Sequence, residues 1–466
     1  MVALIATLVV LPIATVGLIA AFPKENIWPH LVATVLPRSV FETVVLLTGV
    51  GLITGVVGSV TAWVVTMYRF PGRNAVDRLL VLPLAVPTYI VAYCYVELLD
   101  YAGPLQTGLR STFGWQSVRD YWFPEVRSLP GAVLLMSAVL YPYVYLSARA
   151  SFVQQSVCAL EVARTLGRSP IGTLMSVALP LARPAIAAGI ALGLMECLND
   201  LGAVQHLGVQ TLTYSVYATW LQRSNLGGAA QLATVMLLFV ALLFWAERSA
   251  RGRAKFHHTT GHYRAIPFSD IPGWRGIVVG VLCALPFVVG FLVPFGLLLN
   301  YSFARGDVVL SPDFWETARH SLVLASIAAV VTVVLAVLLA YARRVAENRF
   351  TRPAAQVASL GYALPGTVLA LGLLYPLAAF DNGLDSIMRS TFGISTGLIL
   401  SGSVAALVLA YAIRFIAVAI GSIDAGFEKV SPNLDAAART LGAGPLKALG
   451  WIHLPLLIPA LGRRHC

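Results

Sequence analysis

Lysine is scarce in this chain: Lys24, Lys255, Lys429 and Lys447 are the only four among 466 residues, and none follows a glycine. A phosphate-binding loop needs a Gly-Lys step, so that backbone amides and an ammonium group together cradle the nucleotide, and no ATPase of that type is built in. Charge of any kind is thin, at 11% of residues. The five cysteines, Cys94, Cys158, Cys197, Cys283 and Cys466, form no CxxC pair, which speaks against a metal site or a disulfide framework and for lipid-facing or core positions. No Lys or Arg precedes Lys24, so the first apolar run lacks the basic flank of a secretory signal and reads as a membrane span. No Ser/His/Asp or Cys/His arrangement points to catalysis.

What the chain does have is apolar surface, 58% of its residues. Runs long enough to cross roughly 30 Å of hydrocarbon lie near 2–22, 41–66, 77–99, 131–150, 184–205 and 228–246, and again near 275–301, 320–342, 354–379 and 395–420. Backbone amides in lipid must bond within their own segment, and runs of this length do so as helices. The expectation is an all-α polytopic membrane protein with about ten complete transmembrane helices. The net charge of +11 fits membrane topology better than nucleic acid: with the N-terminus inside, twenty Lys and Arg fall in cytoplasmic connections and nine on the opposite side.

A charged stretch, EVARTLG at Glu161–Gly167, returns as AAARTLG at Ala436–Gly442. At that offset twelve of the 23 residues from Ala163 to Ala185 are identical, and Pro170, Pro180 and Pro184 meet Pro445, Pro455 and Pro459. RSTFG at 110–114 recurs at 389–393. The chain therefore reads as two homologous halves of six-span design in the same orientation: 1–246 (core about 41–246), a basic linker 247–274, and 275–466 (core about 319–466). The apolar stretch Leu454–Leu461 is eight residues long and runs into GRRHC, so the second half is expected to lack its last two spans, as a truncation or frameshift, and this form to transport poorly.

The segment EVARTLGRSPIGTLMSVALPLARP resembles the EAA loop of binding-protein-dependent ABC importer permeases, whose pattern is E-A-A-x-x-x-G followed after about ten residues by I-x-L-P. The layout of two halves in one polypeptide is similar to the iron(III)-type permeases. The resemblance implies a multi-pass permease in the bacterial cytoplasmic (inner) membrane, surrounded by membrane lipid. It also implies an ATP-binding cassette ATPase dimer gripping the two loops and a periplasmic solute-binding protein delivering cargo, with no cofactor and no nucleic acid. Iron(III) is the first cargo it suggests; related permeases carry thiamine, phosphonates or polyamines.

The loop residues suit docking. Ala163, Ala437 and Ala438 are small enough to let a helix approach a partner's groove closely, and Gly167 and Gly442 let the chain turn without a Cβ penalty. Glu161 sits near a helix start, where its charge favours the dipole. In the second loop the equivalent position is Ala436 and the nearest acid, Asp435, is rotated by about 100°, so the two loops are expected to couple unequally. Pro170, Pro180 and Pro184 are expected to interrupt the helix and set its entry angle. A plain solvated loop is the alternative.

Glu196 and Asp200, four apart, are expected on one helical face lining the outer part of a translocation path, with Asn199 and Gln205 adding polarity. The alternative for Asp200 is an outer span end in water. His257, His258 and His262 read as a solvated linker in preference to a metal site, Arg414 as a snorkelling cation, and Pro83, Pro87 and Pro365 as shapers of bends. A secondary transporter with Glu196 as proton relay is the runner-up, and it leaves the repeated loops unexplained. In a cysteine-free background, Arg164→Cys and Arg439→Cys are expected to react only with membrane-permeant thiol reagents, and Arg119→Cys and Arg223→Cys with impermeant ones. Reaction of the first pair from outside would overturn the topology.

Overall fold

The computed structural model describes residues 2–155, 165, 167–251, 268–345, 361–362, 364–427, 430–431, 434, 440, 442 and 444–456. The apolar runs form helices, as amides with no water partner require. In order they are α1 (Val2–Ala21), α2 (Leu36–Met67), α3 (Arg73–Leu79), α4 (Thr88–Leu99), α5 (Pro104–Phe113), α6 (Leu129–Gln154) and α7 (Pro170–Asn199). Then come α8 (Leu201–His206), α9 (Leu212–Tyr217), α10 (Leu226–Arg251), α11 (Gly273–Ala304), α12 (Pro312–Val345), α13 (Gly366–Phe392) and α14 (Val404–Phe427). Among the described residues eight helices are long and apolar enough to cross a membrane. Arg73–Ala85 and Thr88–Phe113, bent by 93°, make a ninth if taken as one span, and α1 contains a shorter apolar helix, Ile5–Ala21.

Three expectations need adjusting. The run 77–99 is not one straight span: Leu82–Ala85 tightens to a 3-10 turn, and Val86, held extended ahead of Pro87 (φ −106°, ψ 123°), turns the chain. The tenth span begins later than hydropathy suggests. Residues 354–360 and 363 of the ninth lie outside the described residues, and Pro365 (φ −59°, ψ 140°) starts α13 at Gly366. The apolar residues before α14 stay non-helical because Asp385 Oδ1 accepts the amides of Thr396 (2.7 Å) and Gly397 (3.2 Å), and Asp381 those of Leu400 (3.0 Å) and Ser401 (2.7 Å). Finally, Pro180 and Pro184 do not interrupt α7. A π-turn at Leu174–Ala178, in which Leu179 N–H donates to Leu174 O, lets the helix run on through Pro180, and Pro184 sits inside the regular helix that follows.

The chain packs as two compact units, and these are not the sequence halves. One comprises residues 26–225 and 235–306. Its core is a buried aromatic and aliphatic cluster that includes Trp63, Tyr141, Tyr145 and Phe152, contributed by α2 and α6. A two-residue parallel pairing, Tyr68–Arg69 with Ser269–Asp270, belongs to the same unit. The other comprises residues 1–25, 226–234 and 307–466, with Ile5 of α1 buried alongside Ala336, Tyr341, Ile420 and Phe427. Each half's first span, α1 or α11, thus belongs to the unit that holds the other half's later spans.

The repeat persists in local geometry. Pro87 (φ −57°, ψ 137°) and Pro365 start their helices alike, and Gly114 (φ +71°) and Gly393 (φ +69°) end RSTF helices in the left-handed region that glycine tolerates. Extending the Pro87–Pro365 offset of 278 places Thr54 opposite Thr332, and their hydroxyls donate to the matching carbonyls of Val50 (2.7 Å) and Ala328 (2.6 Å). Trp63 meets Phe152 at 5.5 Å between ring centroids; at the equivalent positions Tyr341 meets Phe427 at 6.5 Å.

Close approach of α2 and α6 depends on glycine. A Cβ at Gly58 would fall 2.7 Å from Val144 Cβ and 2.8 Å from Tyr145 N. Gly58→Leu is therefore expected to destabilise the protein by roughly 1–3 kcal/mol, read as a lower unfolding midpoint in detergent. Gly108→Ala, at a helical position with nothing within 4 Å, should leave the midpoint unchanged or raise it slightly.

Candidate coupling elbows and translocation path

Gly167 (φ +77°) and Gly442 (φ +74°) close the two repeated stretches in the same left-handed conformation. A Cβ there carries a cost of roughly 1–2 kcal/mol, so glycine at both positions has a local cause. After each glycine the chain does the same thing. Ser169 caps the start of α7, accepting Gly172 N–H at 3.1 Å, and Pro170 occupies the first helical position, where no amide needs a partner. The second half has a short helix at Pro445–Ala448 and a π-turn at Leu449–His453, in which Leu454 N–H donates to Leu449 O. Glu161, Ala163, Asp435, Ala437 and Ala438 lie outside the described residues, as do His257, His258 and His262.

The stem of each elbow is fastened by an ion pair that the sequence did not single out. In the first half Asp77, on α3, accepts Arg149 Nη2 from α6 at 2.7 Å and the Tyr145 hydroxyl at 2.5 Å. In the second half Arg343 of α12 donates to Asp424 of α14 at 2.9 Å, and Arg344 donates to Phe427 O and Val430 O, both at 2.8 Å. At the elbow offset of 275, Arg149 and Asp424 are equivalent, but their partners are not: Asp77 lies on α3, after the second span, and Arg343 on α12 itself, so each half ties its fourth span with an ion pair of its own. Each side chain is partly exposed, between 21% and 37%, which holds the gain from each pair to the modest range of partly screened charges.

At the far end of α7 the expected single face of Glu196 and Asp200 breaks up, because the helix stops at Asn199 and Asp200 turns extended (φ −80°, ψ 99°). Asp200 instead caps α8, its Oδ1 accepting Ala203 N–H at 2.8 Å. Glu196 remains on α7, and Asn199 Oδ1 is buried with no hydrogen-bond partner among the described residues. The chain after the break is tied to α2: Glu42 Oε2 accepts Gln210 N–H, Thr43 Oγ1 accepts Leu212 N–H at 3.0 Å, and Arg38 pairs with Glu42 at 2.7 Å. Polar groups thus gather where α7 ends and α2 begins. Near the start of α6, a second cavity, of about 390 Å³, is lined by Asp100, Tyr101, Gln106, Tyr121 and Arg127. Among the described residues no group of three or more His, Cys, Asp and Glu is placed to hold a metal ion.

Residues 54–252 match the family described as binding-protein-dependent transport system inner membrane component. The chain is 24% identical over 411 residues to the Fe(3+)-transport system permease protein FbpB 2 of Haemophilus influenzae, covering 87% of this chain and 73% of that one. It is 24% identical over 464 residues to the putative ferric transport system permease protein FbpB 1 of the same organism, covering 94% and 69%. The sulfate transport system permease protein CysT of Salmonella typhimurium is 27% identical over 204 residues, 43% of this chain and 70% of its own length. The resemblance carried by the repeated loops, to importer permeases of the iron(III) type, is shown by these matches, and the chain is a multi-pass inner-membrane protein.

Asp77→Ala strands both the Tyr145 hydroxyl and the Arg149 guanidinium, at an expected cost of roughly 1–3 kcal/mol in detergent unfolding. The exchange Asp77→Arg with Arg149→Asp should recover more of that loss than either change alone. Absence of coupling in this double-mutant cycle would show the pair to be incidental.

Proposed function

We propose that the chain is the transmembrane permease subunit of an ATP-driven importer, that it forms the translocation path for iron(III), and that it receives work through its two elbows. The observation that carries this reading is the duplicated unit of left-handed glycine, proline-started helix and π-turn, at Gly167–Ala178 and Gly442–His453. A loop that only capped two spans has no reason to keep the same turn, the same proline and the same helical irregularity in both copies. Two equivalent elbows suit a dimeric ATPase with two grooves, with Ala163, Ala437 and Ala438 on the docking faces and Glu161 and Asp435 as the acids beside them. Because the first loop carries the acid at Glu161 and the second has Ala436 in its place, coupling is unequal.

A periplasmic solute-binding protein would present cargo at the outer loops. Glu196, Asn199 and Asp200 then stand at the outer part of the path, where the buried Asn199 oxygen has no hydrogen-bond partner among the described residues. Iron(III) is favoured because two relatives matched over most of the chain carry ferric transport names. The names of the half-length relatives, for sulfate and for 2-aminoethylphosphonate, favour an oxyanion cargo as the second reading.

Thr165→Cys and Thr440→Cys, one in each elbow, are expected to cross-link to a co-expressed ATP-binding cassette ATPase, and Arg119→Cys is not. Cross-linking of neither elbow would overturn the reading. Uptake into vesicles that depends on ATP and the ATPase supports it, and uptake driven by a proton gradient without ATP refutes it. Competition between ferric ion and excess sulfate separates the two cargoes.

A further inference from the structure

We infer that the groove between α12 and α14 is the seat of a further transmembrane helix, an apolar one built like α7, with two small residues four apart on its contact face. The groove has a volume of about 490 Å³, far above the roughly 30 Å³ of a single water, and its walls are mainly apolar, with hydroxyls at Ser321, Thr332, Tyr411 and Ser422. From α12 it is lined by Ala329 and Val333, and from α14 by Tyr411, Phe415, Ala419 and Ser422.

The repeat says what such walls hold. At the offsets of 278 for α12 and 275 for α14, these six residues correspond to Gly51, Gly55, Met136, Leu140, Val144 and Ser147. In the first half every one of the six faces α7. A Cβ at Gly51 would lie 3.5 Å from Leu194, and one at Gly55 3.1 Å from Ile190. Met136 Sδ is 3.8 Å from Cys197 Sγ. Gly193 stands over Leu140, and a Cβ at Gly189 would be 2.8 Å from Val144 Cα and 3.1 Å from Ser147 Oγ. At these six positions the wall of the groove is thus the wall against which α7 lies. The α6 side of that seat admits α7 only through the small residues Gly189 and Gly193, which is close helix packing of the kind that membranes favour.

The chain also reaches the mouth of the groove in the same way. His453, equivalent to Ala178 just before the straight part of α7, is buried against Tyr341 (5.4 Å) and Phe427 (5.6 Å), and Leu454, Pro455 and Leu456 continue as helix. A lipid acyl chain is a poorer fit. Thr332 and Ser422 bring hydroxyls to the groove, whereas the faces of α12 and α14 that point away from it carry exposed Leu322, Val323 and Leu407. This inference stands on the repeat and not on the transport reading, so either can fail alone.

The test uses the full chain in lipid nanodiscs and a fluorescent synthetic peptide of residues 179–199. Saturable binding is expected, weakened at least tenfold when the peptide carries Gly189→Leu and Gly193→Leu, and likewise weakened for the protein variant Ser422→Leu. Leu407→Ala, away from the groove, should leave binding unchanged. Equal, non-saturable partitioning of both peptides would overturn the inference, as would saturable binding that Ser422→Leu does not affect. Should Ser422→Leu fail to fold, the comparison of the two peptides on the unmodified chain decides the matter alone.

Discussion

A backbone amide inside hydrocarbon has no water to turn to, and the rest of this structure follows from that constraint. Where the chain runs as helix the amides serve one another. Where it breaks, a side chain takes over: Asp200 at the end of α7, Glu42 and Thr43 for the segment that follows, Asp381 and Asp385 for the approach to α14. With only 21 acidic residues in 466, a notable share of the carboxylates stands at breaks in helices. Acids near membrane depth are therefore explained by backbone satisfaction before any transport role is assigned. Asp200 shows this most clearly: a capping bond accounts for its place at the end of α7. The buried Asn199 oxygen, with no partner among the described residues, is not accounted for in that way.

The same constraint decides what was legible in the sequence. The all-helical character of the long apolar runs and the duplication could be read directly, because each rests on composition or on identity between residues, whereas of the ten spans expected eight, or nine with the bent pair, are long and apolar enough among the described residues. The start of α14 could not, since hydropathy registers the apolar side chains of Ile394, Leu398 and Ile399 but not the two aspartates that draw the amides there out of helix. The 93° bend was foreshadowed by Pro83 and Pro87 but not its size, which depends on how the 3-10 turn meets the extended Val86. The clamps Asp77–Arg149 and Arg343–Asp424 were invisible, since each joins elements whose meeting only packing determines. The grouping of α1 with residues 307–466 was hidden for the same reason.

What the two halves share, and what they do not, separates requirement from circumstance. Both keep the ring contact between the second and fourth spans, the threonine that bonds back to its own helix and the clamp at the fourth span's end. The residues that meet these needs differ: tryptophan or tyrosine for the ring, and for the tie at the fourth span's end Arg149 with Asp77 of α3 or Asp424 with Arg343 of α12. The tie is made by a different pair in each half, so what persists is the fastening and not a particular arrangement of charge.

The π-turns complete the argument. Proline has no amide hydrogen, and its ring would strike the carbonyl four residues earlier in a regular α-helix, that of Ser176 for Pro180 and of Trp451 for Pro455. Widening the preceding turn moves those carbonyls aside, so the helix continues where it would otherwise kink or end. In the first half the outcome is a left-handed glycine followed by a helix that runs without a break from Pro170 to Asn199. In the second the same turn, the same proline-started helix and the same π-turn lead into helix at 454–456, so each π-turn stands just ahead of a proline whose ring a regular turn would crowd.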